Sequence, residues 1–384
     1  MPQVREEINQ LIKKTELELV NLGDARPTPG HLRVFLSRIA MRFHSLTAAA
    51  LHGDYHGVEA AFFERPGDAC GYARLRAVIH NLNTEFATEL REHGQSMKVT
   101  ARSDSGSDTH DSASDDTADD NRHVSLAEMN AFILKLYRRT RGRELPGNYN
   151  HVLLAELFHF QSERWKIIAY EHLTAVFDQV RLFVEDVVQH ITTDGSVSTE
   201  VFDRIHIYLE ESRSRADEEL ERLWDDNSHQ PITYNHYYTD NIQNARANAT
   251  RYRIKQAMHN ASVGVYNGKL HISNTVADAE KLLHALQRQV SVDMEEQACS
   301  EVLAGFSAYY KVARKTFVDN ICIQVVERHI LRGLPDLFSP ESVAAYTDED
   351  LQRIAGEGDE RMTKRKQLQD LRENLIAALS DLRR

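Results

Sequence analysis

Three cysteines, eight prolines and seventeen glycines are few for a chain of 384 residues. Cys70, Cys299 and Cys322 are too scattered for a disulfide framework or a cysteine-built zinc site. They suit a reducing compartment, and the expected location is cytoplasmic. The scarcity of proline and glycine argues against a fold of many short strands and tight turns. No run of about 18 apolar residues exists, so no membrane-crossing helix is expected. Met1–Glu7 lacks the apolar stretch of a signal peptide.

Motifs of nucleotide chemistry are also missing. A phosphate-binding loop needs two glycines with four residues between them, then Lys and Ser or Thr. Gly268-Lys269 is followed by Leu270, and the nearest upstream glycine, Gly264, is misplaced. Neither a G-x-G-x-x-G turn nor an H-E-x-x-H or G-x-S-x-G motif occurs. The nineteen histidines are dispersed. Glu156-Leu157-Phe158-His159 is a single Glu-x-x-His, whereas a di-iron bundle site needs two, and Glu327-Arg328-His329 is one residue short. The expectation is no enzyme, no metal and no cofactor.

The net charge of -12 is uneven. Residues 103–120 hold seven aspartates and no Lys or Arg, more than half of that charge. Nucleic acid is thus not an expected partner, because phosphate neutralisation needs a basic face. With Ser, Asp, Thr and Gly dominant and no aromatic residue, 95–122 is expected to be a disordered acidic loop.

What the chain has in abundance is helical periodicity. Val4, Ile8, Leu11, Thr15, Leu19 and Leu22 step by three or four, with Gly23 as a stop. Further stripes predict helices over 32–46, 72–92 and 126–136, and one long helix from about Asn150 to Ile191. Others follow over 198–226, 232–258, 276–290, 294–332, 340–346, 348–355 and 360–384, with a loop over 259–275. No segment alternates with period two. The expected fold is all-α, an elongated antiparallel four-helix bundle with a C-terminal helix.

Arg141-Gly142-Arg143-Glu144-Leu145-Pro146-Gly147 interrupts this pattern. Two glycines and a proline favour a bend there and place two arginines and a glutamate on it. Arg246, Arg251, Tyr252, Arg253 and Lys255 form a second, basic and aromatic cluster ahead of the 259–275 loop.

Arg141–Asn148, at the head of a helical region, resembles the stalk of the dynamin and Mx-like large GTPases. Pro231-Ile232-Thr233-Tyr234-Asn235-His236-Tyr237-Tyr238-Thr239-Asp240-Asn241 is similar to a stalk helix of a dynamin-like subgroup. Ala308–Asn320, followed by Leu334-Pro335, resembles the GTPase effector domain. The resemblance implies a stalk whose effector-domain helix returns antiparallel to the middle-domain helices. It implies self-assembly through Arg141, Gly142, Arg143, Glu144, Leu145, Pro146 and Gly147, and a lipid or target contact through Arg251, Arg253, Lys255 and Lys269.

On that scheme 1–94 is the first half of the middle domain, 95–122 the acidic loop, and 123–258 the long helices. Residues 259–291 are the tip, 292–356 the effector-domain helix and turns, and 357–384 a helix of the bundle that signals to a GTPase head. The head's motifs are absent, so GTP is expected only through a missing head or a partner. The final helix is expected to lack its usual cover. The expected function is a non-catalytic assembly module, with copies of itself, intact dynamin-like GTPases and a peripheral membrane as partners. A fragment of a complete GTPase and an unrelated helical scaffold stand as alternatives.

Overall fold

The first predicted stripe is helix α1, Pro2–Leu22. Gly23 stops it in the left-handed region at φ 75°, its N–H bonded to the Val20 carbonyl. Helix α2, Pro29–His52, opens with proline at its first position and Thr28 as cap, and closes on left-handed Gly53. The computed structural model describes residues 2–57, 59–64, 71–99, 122–145, 148–261, 264–266, 269–271, 280, 283–284 and 294–381. Among these the chain is all-α apart from four three-residue strands.

The further helices are α3 (Ala60–Phe63), α4 (Leu75–Glu92), α5 (Leu126–Thr140), α6 (His151–Ser162), α7 (Trp165–Ile191), α8 (Gly195–Ser228) and α9 (His236–Ala261). Then come α10 (Met294–Asn320), a π-helical segment Ile321–Leu331, a 3-10 turn Leu334–Phe338, α11 (Pro340–Ala344), α12 (Asp348–Ala355) and α13 (Asp359–Asp381). Ser125 and Glu128 cap α5 reciprocally, and Thr347 and Asp350 do the same for α12.

Several expectations are corrected. The long helix over 150–191 is two, α6 and α7, with Glu163-Arg164 as a turn. The Ser162 hydroxyl bonds back to the Phe158 carbonyl at 2.8 Å, and such back-bonding bends helices. Helix α8 begins at Gly195, three residues before Ser198, because Asp194 takes over the start: its carboxylate accepts the Ser196 hydroxyl. The ends of the expected acidic loop are strands, β1 (Met97–Val99) and β2 (Arg122–Val124), paired parallel. Residues 100–121 between them lie outside the described residues. In the expected 259–275 loop, β3 (Gly264–Tyr266) and β4 (Lys269–His271) pair antiparallel. The expected 276–290 helix lies outside the described residues except for 280 and 283–284, which are helical.

The expected single helix over 294–332 turns π-helical at Ile321. Ile321, Val325, Val326, Ile330 and Leu331 are all buried there. Steps of four and five scatter around an α-helix, but a ladder closing i to i+5 puts them on one face.

The chain divides into two units. The first comprises Met1–Val78, Asp178–Arg213 and Ile330–Arg384. Leu32, Leu36, Phe43, Phe62, Phe183 and Phe338 are fully buried in it. Arg26 and Asp194 pair at 2.8 Å, almost wholly buried, and Arg361 reaches the same carboxylate. Burial opposes ionisation of Asp194, but hydrogen bonds from Arg26 and Ser196 and the two arginine charges hold its carboxyl below its usual range. Glu59, left-handed at φ 54°, is gripped by Arg42 at 2.7 and 2.9 Å and by His190 at 2.8 Å. The expected uncovered final helix is not bare: α13 packs antiparallel on α1, with Arg361 donating to the Leu22 carbonyl and Arg372 to Glu16. Leu368 is buried, whereas Leu371 and Ile376 stay about half exposed.

The second unit comprises Ile79–Phe177 and Ser214–His329. Its centre is aromatic: Trp165 is fully buried, edge-on to Phe158 and Tyr310, and tilted against Phe317. The indole N–H donates to the Tyr310 hydroxyl at 3.0 Å. Phe86 stacks on His172, and Gly94 lies beside the Trp165 indole, so α4 and α7 run antiparallel here. Tyr238 meets Tyr309 and Arg246 meets Glu301, which makes α9 antiparallel to α10. Phe158 meets Tyr309 and Trp165 meets Phe317, so the chain from α6 into α7 runs parallel to α10. Helix α10 is therefore parallel to α6 and the start of α7, not antiparallel to them as the resemblance implied.

Candidate functional site

The second unit exposes large apolar side chains where α8 gives way to α9. Pro231 cannot continue a helix, and residues 231–235 are non-helical before α9 starts. The Asn235 side chain accepts the Tyr237 N–H at 3.0 Å, capping that start. The geometry pushes Ile232, Tyr234 and Tyr237 outwards, 70%, 95% and 59% exposed. A ring left almost wholly in water forgoes the burial that usually places it in a core or an interface.

Beside them lies a cavity of about 410 Å³, with Leu223, Asn227, Tyr309, Ala313 and Phe317 in its wall and Asp226 on its lining. A neighbouring groove of about 420 Å³ is bordered by Asn235, Tyr237, Asn241, Lys311, Arg314 and Lys315. Two tracts of the resemblance, 231–241 and 308–320, thus share one face, 77 residues apart in sequence though they begin. Burial raises the pKa of the Tyr309 phenol, and pushes that of Tyr310 up to about 12. Cys322 is a free thiol pushed up to about 12, first by burial and then by Asp319 and Glu327, and is a poor nucleophile.

The first sequence candidate, 141–147, is non-helical through Leu145, and Pro146 and Gly147 lie outside the described residues. Arg141 ends α5 and pairs with Glu295 at 3.3 Å, sharing it with Arg138 at 3.0 Å. Its guanidinium also lies over the Tyr137 ring. Glu144 folds back to accept the Gly142 N–H at 2.6 Å. Its own backbone and that of Gly142 hold its carboxyl below the usual range. Gly142 does not use a left-handed backbone; its missing Cβ leaves room for the Glu144 carboxylate, 3.1 Å from where a Cβ would sit. Arg141 and Glu144 therefore spend their charge within the chain. Arg143 and Leu145 are exposed.

Of the second candidate set, Arg251 is exposed on α9. The side chains of Arg253, Lys255 and Lys269 lie outside the described residues; their backbones belong to α9 and β4. The lone Glu-x-x-His is otherwise engaged: Glu156 pairs with Arg139, and His159 donates to the His229 carbonyl. Among the described residues no group of His, Cys, Asp and Glu is arranged to hold a metal, and no helix is long and apolar enough to cross a membrane.

Sequence reasoning used Tyr234 and Tyr237 only as part of a resemblance. The available signal was an aromatic run next to Pro231 that fits no helical stripe. No protein-family model matches the chain, and no curated protein matches it.

Proposed function

We propose that this polypeptide is a non-catalytic self-assembly module of the dynamin-like type, pairing with further copies of itself and with intact dynamin-like GTPases. The observation that carries the reading is the face holding Ile232, Tyr234 and Tyr237 beside a cavity. A twofold contact uses one patch on both partners and so needs a patch complementary to itself. This one offers a projecting ring, Tyr234, next to a hollow. In this reading the helices form an elongated four-helix stalk, and α1 with α13 is a two-helix part of a signalling bundle open to a third helix. Arg143 and Leu145 supply a secondary contact between copies. Arg251, with Arg253, Lys255 and Lys269, faces a membrane surface or target. GTP enters only through a head or a partner, and the reading applies equally to this segment within a longer GTPase.

Sedimentation velocity tests it. The wild-type chain should form dimers or larger species as concentration rises. Tyr234→Asp should weaken that association about thirtyfold, the loss of an interface hot spot of about 2 kcal/mol. Its helical circular dichroism should not change, because the ring is 95% exposed. Arg143→Asp should give a smaller shift. A wild-type chain monomeric at every concentration, or GTP turnover by the purified chain, refutes the proposal.

A further inference from the structure

We infer that the groove between the start of α9 and the middle of α10 is a binding site for a compact phosphate-bearing anion. Lys311, Arg314 and Lys315 stand at i, i+3 and i+4, so one helix face carries three positive charges. They line a groove of about 420 Å³ with the side-chain amides of Asn235 and Asn241 and the ring of Tyr237. That size suits a discrete small ligand.

The charges lack ion-pair partners. Elsewhere in the same unit Arg138, Arg141, Arg222, Arg246 and Arg328 each rest on a glutamate. Among the described residues, Lys311, Arg314 and Lys315 have neither an ion pair nor a hydrogen bond. Like charges at this spacing repel by a few tenths of a kcal/mol per pair. Arg314 is only partly exposed, and Arg91 is close enough to oppose its charge. Burial comes first in drawing the Arg314 pKa down, with Arg91 adding to it. Arg91 itself pairs with Glu92 at 3.0 Å, so Arg314 is the guanidinium that stands without a carboxylate. Asp319, four residues after Lys315, is a carboxylate in the same lining and offsets part of this charge, leaving three cations to one anion.

The donors select the ligand. A fork-shaped guanidinium, two ammonium groups and two amides match phosphate oxygens in number and kind. The chain's net charge of -12 disfavours an extended polyanion but not a small one seated on this local patch. The phosphate is carried either by a soluble metabolite or by a lipid headgroup, which present the same chemistry. The site does not depend on pairing of copies, although Asn235, Val312 and Thr316 border both hollows.

Calorimetric titration of the full chain with inositol 1,4,5-trisphosphate at low salt should show saturable binding. Lys311→Gln with Lys315→Gln should weaken it about tenfold or more, and Arg314→Gln comparably. Arg222→Gln, whose partners are Glu218 and Glu219, should bind as wild type. Both lysines are exposed, so the double variant keeps its fold even if Arg314→Gln does not. Co-sedimentation with phosphatidylcholine vesicles, with and without phosphatidylinositol 4,5-bisphosphate, separates the sources. Binding of both probes supports a headgroup, and binding of the trisphosphate alone supports a soluble ligand. No binding of either probe, or undiminished binding by the double-lysine variant, overturns the inference. Tyr234→Asp should keep anion binding, so failure here leaves the self-association reading standing and the reverse also holds.

Discussion

The two units bury different chemistry. In the first, charge goes inside: Arg26 and Asp194 pair almost wholly buried, with Arg361 reaching the same carboxylate, and Arg365 pairs with Glu357, while Arg42 and His190 share Glu59 nearer the surface. In the second, rings go inside, around Trp165, Phe158, Tyr310 and Phe317, while Lys311, Lys315, Ile232, Tyr234 and Tyr237 are among the side chains that face water. The buried charges sit where helices end. Arg26 lies between α1 and α2, Asp194 between α7 and α8, and Glu357 between α12 and α13. Backbone links have no apolar face to bury, so directional ion pairs fix them where packing cannot. A buried ion pair is weak evidence for stability, but it defines one arrangement among several. The second unit gains its cohesion from burial of aromatic rings.

That contrast breaks first at its two centres. Trp165→Ala should cost about 4 kcal/mol, from lost burial and the cavity left behind, and leaves the Tyr310 hydroxyl without its donor. Asp194→Ala should cost about 3 kcal/mol, because Arg26 stays buried without its counter-charge. Urea unfolding followed by circular dichroism measures both. If Asp194→Ala costs less than about 1 kcal/mol, the cluster behaves as a surface pair and the distinction between the units fails.

Most of the fold was legible, since helix stripes and their stops are local. Gly23, Gly53 and Pro29 act where their backbone preferences place them. The misses have physical causes. A period of 3.6 was applied to 321–331, where burial follows steps of four and five. Strands of three residues are too short to show alternation, so Met97–Val99 and Lys269–His271 passed as loop. The final helix was expected to be uncovered because cover was sought in a missing domain; α1 supplies it, and its own stripe had been legible all along. The site was less legible. Arg141 and Glu144 were given an outside role from type and position, but Glu295 and the Gly142 N–H, one of them 154 residues away, claim them. Tyr234 carried no periodic signal at all, because an exposed ring is defined by what fails to pack on it.

A pH ramp sharpens the contrast further. His172 is buried against Phe86, and burial lowers its pKa to about 4, below the ordinary value of 6.5. The folded chain then stays neutral at this site while the unfolded chain takes a proton. Stability is full above about pH 6.5, falls as pH drops towards 4, and loses nothing more from this group below that. The loss should reach about 3 kcal/mol. His172→Phe keeps the stacked volume and removes the titration. Urea midpoints of the variant should therefore fall less than those of wild type between about pH 7 and 4.5. Parallel slopes would show that His172 does not titrate between the two states.

The smallest effect belongs to charge on the surface of the ring-packed unit. Lys166 donates to Glu221 at 2.9 Å and Tyr170 donates to it at 2.7 Å, and these bonds hold the carboxyl below its usual range. A depressed carboxylate adds stability above its unfolded pKa and loses it as pH falls through the folded one. Glu221 is half exposed, so water and salt screen the pair, and Glu221→Gln should cost only a few tenths of a kcal/mol. About 1 M salt should remove most of that difference, because the screening length falls to about 3 Å. The same salt should scarcely change the cost of Asp194→Ala, whose partner is shielded from the ions. Equal salt sensitivity of the two variants would place both carboxylates in the same environment, and the division between charge inside one unit and charge outside the other would not stand.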